Sequence, residues 1–164
     1  MAQNISDLSG TITIVGEFEA KIFRADGSVE EKKIHNIVTR YGLNRLANRA
    51  VNATGTTPAY VLGVGTVTAA ASLDSTNFGE VSRKAAATAT QSREFFALVA
   101  TWAGNSDSVT GVALDSVSIL DHASSGQGIV FNIANGLGVT LQASDFLNLT
   151  GRIRVGSHDL SHST

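Results

Sequence analysis

The amino-acid sequence predicts a mainly β protein, an antiparallel β-sandwich or jelly-roll-like barrel with one short α-helix. Segments that alternate apolar and polar residues recur about every ten residues, with polar or glycine-containing turns between them, which is typical of all-β domains. Only the stretch from Thr39 to Val51 has apolar residues at helical spacing. No linker or internal repeat divides the 164 residues. We therefore expect an N-terminal arm (residues 1–10), a single β-sandwich domain (11–156) and a polar C-terminal tail (157–164).

The first two strands are predicted to form a hairpin. In the segment TITIVGEFEAKIFRA, charged and apolar residues alternate from Glu17 to Ile22, which indicates a strand with one buried face. Asp26-Gly27 follows, and this dipeptide favours a two-residue hairpin turn because glycine accepts a positive φ without steric cost. The return segment VEEKKIHNIV is charged near the turn and apolar at its end, as expected for a hairpin whose tip reaches into water.

A helix is predicted directly after this hairpin. Thr39 can act as its N-cap, since a threonine hydroxyl accepts a backbone N–H of the first turn, and Gly55 and Pro58 would end it. The predicted apolar stripe is Leu43, Leu46, Ala47, Ala50 and Val51, with Asn44, Arg45, Asn48 and Arg49 facing outward. A helix of about three turns is marginal alone in water. We therefore expect its apolar stripe to lie against an open edge or end of the sandwich and to close the core.

The remaining strands follow from similar patterns. YVLGVGT is a short apolar strand, residues 67–79 form a long loop, and two strands meet near Gln91-Ser92. In the second of these, from Phe95 to Trp102, both alternating sets are largely apolar, which predicts a central strand covered on both faces. The segments VTGVALDSVSILD, IVFNIA and FLNLTGRIRV are further strands, and Asn135-Gly136 is predicted to be a hairpin turn.

The composition excludes several classes of function. A net charge of -2 and a pI near 6.0 give no basic surplus for binding nucleic acid. The chain contains no cysteine, so it has no disulfide, thiolate nucleophile or cysteine-based zinc site. No window approaches the ~18 consecutive apolar residues that a membrane span needs. Charged residues make up 16% of the chain, against about a quarter in typical soluble domains, which suits a protein that covers much of its surface in an assembly.

No residue pattern supports a catalytic, cofactor or metal site, so we do not expect an enzyme. The GVGT segment at residues 63–66 resembles half of a dinucleotide-binding fingerprint, but no third glycine or helix follows, which favours glycines in a crowded strand. His158 and His162 are four residues apart, yet they lie in a polar tail without a third ligand. His35 and His122 could each pair with a serine, but the chain has no G-x-S-x-G nucleophile elbow.

Two pairs of arginines are the basic clusters of the sequence. Arg45 and Arg49 share one face of the predicted helix, and Arg152 and Arg154 share one face of the last strand. The helical pair could grip a phosphate or a partner's carboxylate, or it could be an ordinary solvated helix face. The sequence leaves both interpretations open.

Four motifs in fixed order resemble a known group of proteins. They are HNIVTRYGLNRLA, then YVLGVGT with LDSTNFGEVSRK, and finally VTLQASDFLNLTGRIRV. This order resembles small virion proteins of tailed bacteriophages, in which N-x-V-T-x-x-G-L-x-x-L precedes an aliphatic iGxG strand, an acidic-then-Arg element follows, and a D-x-L-x-L strand closes the domain. The matching positions are Asn36, Val38, Thr39, Gly42, Leu43, Leu46, Gly63, Gly65, Glu80, Arg83, Asp145, Leu147 and Leu149.

The resemblance implies a structural protein of a tailed-phage virion. The leading expectation is a capsid decoration or cement subunit that stabilises the shell through inter-subunit contacts, and the alternative is a tail, neck or fibre adaptor. The implied partners are other virion proteins (the major capsid protein, or tail and neck proteins) and copies of the same chain in a homo-oligomer. No nucleic acid, membrane or cofactor is expected, and the implied location is the virion, assembled in the host bacterial cytoplasm. A carbohydrate-binding module is the alternative of another class, with Trp102 as its candidate ring, although the alternating strand around Trp102 favours a core position.

Overall fold

The computed structural model describes residues 12–51, 60–92 and 95–157. The predicted arm (1–10), the helix-ending Gly55 and Pro58, and the predicted tail from residue 158 with His158 and His162 lie outside these residues. Nine strands and one helix occur in the described part of the chain. They are β1 (Ile12–Phe23), β2 (Val29–Val38), α1 (Arg40–Val51), β3 (Val61–Gly65), β4 (Glu80–Ala85), β5 (Thr88–Gln91), β6 (Phe95–Ala103), β7 (Ala113–Leu120), β8 (Val130–Thr140) and β9 (Phe146–Ser157).

The strands form one curled antiparallel sheet in the order β4-β3-β7-β8-β2-β1-β9-β6-β5. Strands β2, β1, β9, β6 and β5 make one layer, and β4, β3, β7 and β8 make the other. Strand β2 joins the layers because its last residues, Ile37 and Val38, pair with β8. The two edge strands, β4 and β5, are separated by only Ala86 and Ala87, so the chain crosses between the layers where the sheet is open. The predicted mainly β, sandwich-like or barrel-like fold with one helix is confirmed.

The core lies between the two layers and follows the predicted alternation. The β1–β2 hairpin is present, and Phe18, Ala20 and Ile22 of β1 are fully buried while the charged residues between them face outward. Trp102 of β6 is also fully buried, and its indole N–H donates a 3.0 Å hydrogen bond to the hydroxyl of Ser82. The other large side chains with almost no exposure are Leu62, Leu114, Ile119, Leu120, Ile133, Leu137, Leu141, Leu147 and Leu149.

The expectation that β6 is covered on both faces is wrong. Its inward residues Leu98, Ala100 and Trp102 are buried, but Thr101 and Phe95 on the opposite face are exposed. Strand β6 lies in one of the two layers, so only its inward face packs against the other layer. Within the described residues, no element packs over its outward face. Ala97 and Val99 on that face are only half-buried, so their apolar character did not indicate full burial.

The predicted hairpin at Asn135-Gly136 is also wrong, because these residues lie within β8. Strand β8 bulges there, since the register with β7 shifts between Leu114 and Ser116. The carboxylate of Asp115 accepts the backbone N–H groups of Gly136 and Gly138, each at 3.2 Å. Both glycines have positive φ angles of 95° and 55°, which other residues rarely adopt. The glycines therefore form a β-bulge, in which the Asp115 carboxylate accepts N–H groups that would otherwise bond to a backbone carbonyl of the neighbouring strand.

Helix α1 begins as predicted but presents a different face to the sheet. The Thr39 hydroxyl accepts the N–H of Gly42 at 3.0 Å and donates to the carbonyl of Val130 at 2.6 Å, which confirms the N-cap. A Cβ added at Gly42 would lie only 2.1 Å from the carbonyl oxygen of Phe131, so the helix approaches β8 backbone to backbone. Leu46 packs against the core, whereas Leu43 is 37% exposed. The buried face is thus rotated by about one residue from the predicted stripe.

Candidate interaction surface

The large exposed apolar side chains of the described residues fall into two groups at opposite ends of the layer that contains β1. The hairpin-end group is Phe23, Val29 and Phe146, and the α1-end group is Val15, Tyr41, Leu43, Leu73, Phe95 and Val155. Val15 and Phe23 are eight residues apart in β1, which corresponds to about 27 Å along a strand. The domain therefore exposes apolar surface at two separate places, and the outward positions between them on β1 are the charged Glu17, Glu19 and Lys21.

The hairpin-end group is one continuous row across three strands. Phe23 lies directly opposite Val29 on one side and Phe146 on the other, and the three side chains are 42%, 51% and 47% exposed. Neighbouring cross-strand side chains on one face contact one another, so these residues form an apolar row on the outer face. Sequence analysis missed this row. The available signal was that Phe23 and Phe146 occupy outward positions where the alternation requires a polar residue.

The hairpin end is held rigid by Asp145, whose side chain is only 3% exposed. Its carboxylate accepts the backbone N–H of Gln142 at 2.9 Å, the guanidinium of Arg24 at 2.9 Å and the backbone N–H of Ala25 at 3.1 Å. These donors, first the Gln142 N–H and then Arg24, hold the pKa of Asp145 below its usual range. Asp145 therefore ties the β1–β2 turn to the turn before β9 and fixes the position of the exposed row.

A pocket opens at the other end of the sandwich, beside α1. Its volume is about 340 Å³, and it is lined by Ile14, Asn36, Ile37, Val38, Leu43 and Leu73. The loop before β4 reaches the pocket because the N–H of Arg40 donates to the carbonyl of Leu73 at 2.7 Å. Ile14 forms the opposite wall, and its cross-strand partner is the exposed Val155. Of the α1-end group, Leu43 and Leu73 line this pocket, which lies between the end of one layer, the helix and a loop. Val15 and Phe95 lie on the outer face of the sheet, away from the pocket wall formed by Ile14.

The one polar side chain in the pocket lining is Asn36. Its amide oxygen and nitrogen are both buried, and neither has a hydrogen-bond partner within the described residues. The amide lies against Gly16, where an added Cβ would be 1.8 Å from the Asn36 amide oxygen, so only glycine fits opposite it. A buried amide without partners costs about 1–3 kcal/mol for each unsatisfied group. Because both amide atoms have almost no exposed surface and lie against Gly16, a molecule in the pocket would not reach them in this conformation.

Arg45 and Arg152, one from each arginine pair, have carboxylate partners within the described residues. Arg45 pairs with the buried carboxylate of Asp121, so it faces the protein and not the solvent as predicted. Its carboxylate partner is therefore intramolecular, which favours a structural role for this residue over contact with an external ligand. The side chain of Arg49 lies outside the described part. Arg152 forms ion pairs with Glu17 at 3.1 Å and Glu19 at 3.2 Å across the outer face of the sheet.

The acidic-then-Arg element forms a buried ion pair. The guanidinium of Arg83, 5% exposed, donates to the carboxylate of Glu80 and to the carbonyls of His122 and Gln127 at 2.7 and 2.8 Å. The contact with Arg83 is the main reason that the pKa of Glu80 is lowered. The pair thereby anchors the turn between β7 and β8 to β4, which is a structural role.

The other candidate sites bring no reactive groups together. Gly63 and Gly65 lie in β3 and pack against Phe78, so this is the crowded glycine strand that the sequence favours. His35 is exposed on β2, and the Nδ1 atom of His122 accepts the N–H of Ser124. Because Trp102 is fully buried, it offers no ring for stacking on a sugar, and the carbohydrate-binding alternative loses its candidate residue.

The described residues contain neither a metal-binding cluster nor a membrane-spanning helix. No group of three or more histidine, aspartate or glutamate side chains there is arranged to hold a metal ion. No helix in the described ranges has the length and apolar character required to cross a membrane. Comparison of the chain with protein-family models, with curated proteins and with solved structures finds no match.

Proposed function

We propose that this protein is a structural subunit of a tailed-phage virion, acting as a capsid decoration or cement protein. The observation that carries the proposal is the pair of exposed apolar groups at opposite ends of one small domain. Large contiguous apolar patches on a protein surface commonly mark interaction sites. Two such surfaces about 27 Å apart allow one subunit to touch two neighbours at once, which is what a protein that links parts of a shell requires.

The resemblance supports the phage part of the proposal. The matching residues have structural roles in this fold. Thr39 caps α1, and Gly42 lets the helix approach the backbone of β8. The Arg83–Glu80 pair holds the turn between β7 and β8, and Asp145 holds the hairpin end. Residues with such tasks specify an architecture, and the resemblance is a likeness of architecture. It therefore supports the class of structural virion proteins, and the exposed surfaces support a role in assembly.

A cement protein would act by adding contacts across the joints of the shell. Each subunit that binds only the assembled state stabilises that state by mass action. When one domain contacts two neighbours, the second contact forms at high effective concentration, so modest single contacts combine into strong attachment. The hairpin-end row is suited to the contact with the shell because Asp145 holds it rigid and its three apolar side chains lose little conformational freedom on binding.

The test compares virions assembled with and without this protein. Particles that lack it should lose infectivity and release DNA at a lower temperature or after milder osmotic shock. Particles carrying the Phe146→Ser variant should behave in the same way, because the variant removes one of the two aromatic side chains of the row, whereas Thr101→Ser on the same outer face should have no effect. Unchanged robustness without the protein would contradict the cement role. Antibody labelling at a single vertex of the virion would favour the tail, neck or fibre alternative.

A further inference from the structure

The Asn135-Gly136 pair in β8 has the sequence at which a peptide chain deamidates most readily. In this reaction the backbone nitrogen of the glycine attacks the side-chain amide carbon Cγ of the asparagine. The new N–Cγ bond replaces the Cγ–Nδ2 bond, and ammonia leaves with the proton of the attacking nitrogen. Water then opens the resulting succinimide ring to aspartate or isoaspartate. Glycine has no side chain to hinder the attack, so this pair is a candidate modification site.

The attacking nitrogen is held by Asp115 in the folded protein. The N–H of Gly136 donates to Oδ2 of Asp115 at 3.2 Å, and the N–H of Gly138 donates to Oδ1 of the same carboxylate at 3.2 Å. The nitrogen must give up its proton in order to attack, and a neighbouring negative charge disfavours the more negative form. Asp115 therefore engages the attacking atom and makes it less reactive.

The side-chain amide of Asn135 is held in a way that also opposes the reaction. Its Nδ2, the leaving group, donates to the carbonyl of Val67. Its Oδ1 is buried and has no hydrogen-bond partner within the described residues. The attack places negative charge on Oδ1, and such an oxyanion is stabilised by hydrogen-bond donors, whereas a buried charge without partners is costly. The folded environment therefore gives the intermediate no support.

The bulge is nevertheless a place where the sheet can open locally. Gly136 is exposed, and Asn135 pairs with Ser116 directly after the register shift between β7 and β8. Local opening of this kind requires less free energy than unfolding of the whole domain. Opening would free the Gly136 nitrogen from Asp115, free the amide from Val67 and let water solvate Oδ1.

We propose that Asn135-Gly136 is a deamidation site that the bulge held by Asp115 keeps unreactive, and that it reacts when this bulge opens. The product carboxylate cannot donate to the carbonyl of Val67, and it adds a negative charge beside the residue that Asp115 holds. Isoaspartate also lengthens the backbone by one carbon atom, so the bulge cannot close again as before. The modification thereby makes a transient opening permanent. This inference goes beyond the proposed function and does not depend on it.

The test follows deamidation at residue 135 by peptide mass spectrometry in purified full-length protein. The folded natural chain should react at least about ten-fold more slowly than the chain unfolded in guanidinium chloride, since a hydrogen bond to a charged group commonly corresponds to a factor of this size. Asp115→Asn should raise the rate in the folded protein about five-fold, the difference between a charged and a neutral acceptor. The matched control is Asp26→Asn, because Asp26 also accepts a backbone N–H, that of Ser28 at 2.8 Å. It changes the net charge equally and should leave the rate unchanged.

Three outcomes would overturn the proposal. Equal rates in the folded and unfolded natural chain would show that the bulge gives no protection. An unchanged rate in Asp115→Asn would show that the carboxylate does not control the site. A slower rate in Asp115→Asn would mean that Asp115 removes the proton of Gly136 and promotes the reaction.

A measurement on the natural chain keeps the proposal testable if Asp115→Asn fails to fold. The rate at residue 135 is followed over rising guanidinium concentration together with the fluorescence of Trp102, which is buried in the core. Local opening predicts that the rate rises before the fluorescence changes. A rate that rises only together with the fluorescence would contradict opening at the bulge. Asn105-Ser106, in the turn after β6, is the reference in the same samples, and its rate should be the same in the natural chain and in folded Asp115→Asn.

Discussion

Replacing Arg83 with methionine should lower the free energy of unfolding by about 3–5 kcal/mol, the range found when one partner of a buried ion pair is removed. Arg83 is 5% exposed and Glu80 is 14% exposed, so solvent screens their interaction little. The variant also leaves the carbonyls of His122 and Gln127 without their donor. Methionine keeps most of the apolar stem of arginine, so the loss reports mainly on the charge and its hydrogen bonds. Glu80 retains the N–H of Gly126 at 3.2 Å, which favours the lower part of the range.

Urea titration followed by tryptophan fluorescence measures this loss, because Trp102 is buried in the same core. The melting temperature should fall by about 10 °C, since 1 kcal/mol corresponds to roughly 2–4 °C for a chain of this size. The matched control is Arg40→Met, because Arg40 pairs with Asp74 while their side chains are 65% and 69% exposed. An exposed pair contributes about 0–1 kcal/mol. If Arg83→Met costs no more than Arg40→Met, the buried pair does not anchor the turn as argued.

The same pair makes a prediction about pH. The pKa of Glu80 lies below its ordinary value of 4.5, chiefly because of the hydrogen bonds from Arg83. A carboxylate with a lowered folded-state pKa stabilises the fold above its unfolded pKa, and this contribution is lost as the pH falls through the folded-state pKa. The natural chain should therefore lose stability below about pH 4.5. Arg83→Met should flatten this part of the profile, and an equally steep loss in both proteins would contradict the assignment to Glu80.

Three further substitutions test other parts of the structure. Gly151→Ala should destabilise the fold by about 1–3 kcal/mol, because its Cβ would lie 2.8 Å from the ring of Phe18 in the closed core; a neutral result in chemical denaturation would contradict this packing. Thr39→Val should lower the free energy of unfolding by about 1–2 kcal/mol, because it removes the helix cap and the hydrogen bond to Val130. Amide hydrogen exchange in α1 should accelerate. Unchanged exchange would contradict the role of Thr39 as the cap. Asp145→Asn should lower the melting temperature at pH 7 but reduce its decline below about pH 4, since the pKa of Asp145 is held down by the N–H of Gln142 and by Arg24; parallel profiles would contradict the role of this carboxylate.

The parts of the fold that the sequence predicts correctly are those that depend on local rules. The β1–β2 hairpin follows from alternation and from Asp26-Gly27, and the start of α1 follows from the capping hydroxyl of Thr39. The errors arise where a distant residue changes the outcome. Asn135-Gly136 has the sequence of a turn, but Asp115 on the neighbouring strand accepts the glycine N–H groups and keeps the chain in β8.

The helix shows why the site was harder to predict than the fold. A periodic pattern gives the relative angles of side chains around an axis, but it does not give the rotation of that axis against the sheet. Here Gly42 sets the rotation, because the missing side chain lets α1 approach Phe131, and the Arg45–Asp121 pair then lies on the buried side. The same rotation leaves Leu43 exposed at the pocket.

This rotation connects the helix to the proposed function. Had α1 buried its leucine stripe, Leu43 would close the end of the sandwich and no pocket would remain beside Asn36. The close approach at Gly42 fixes the helix to β8 through backbone contacts and the N-cap, which do not require Leu43. Leu43 is thereby available as part of the exposed α1-end group. A Gly42→Ala variant should force the helix away from Phe131, and it should therefore lower the free energy of unfolding. Leu43→Ser should cost the fold little, because Leu43 is already exposed. Equal effects of the two variants on folding would mean that Leu43 belongs to the core after all.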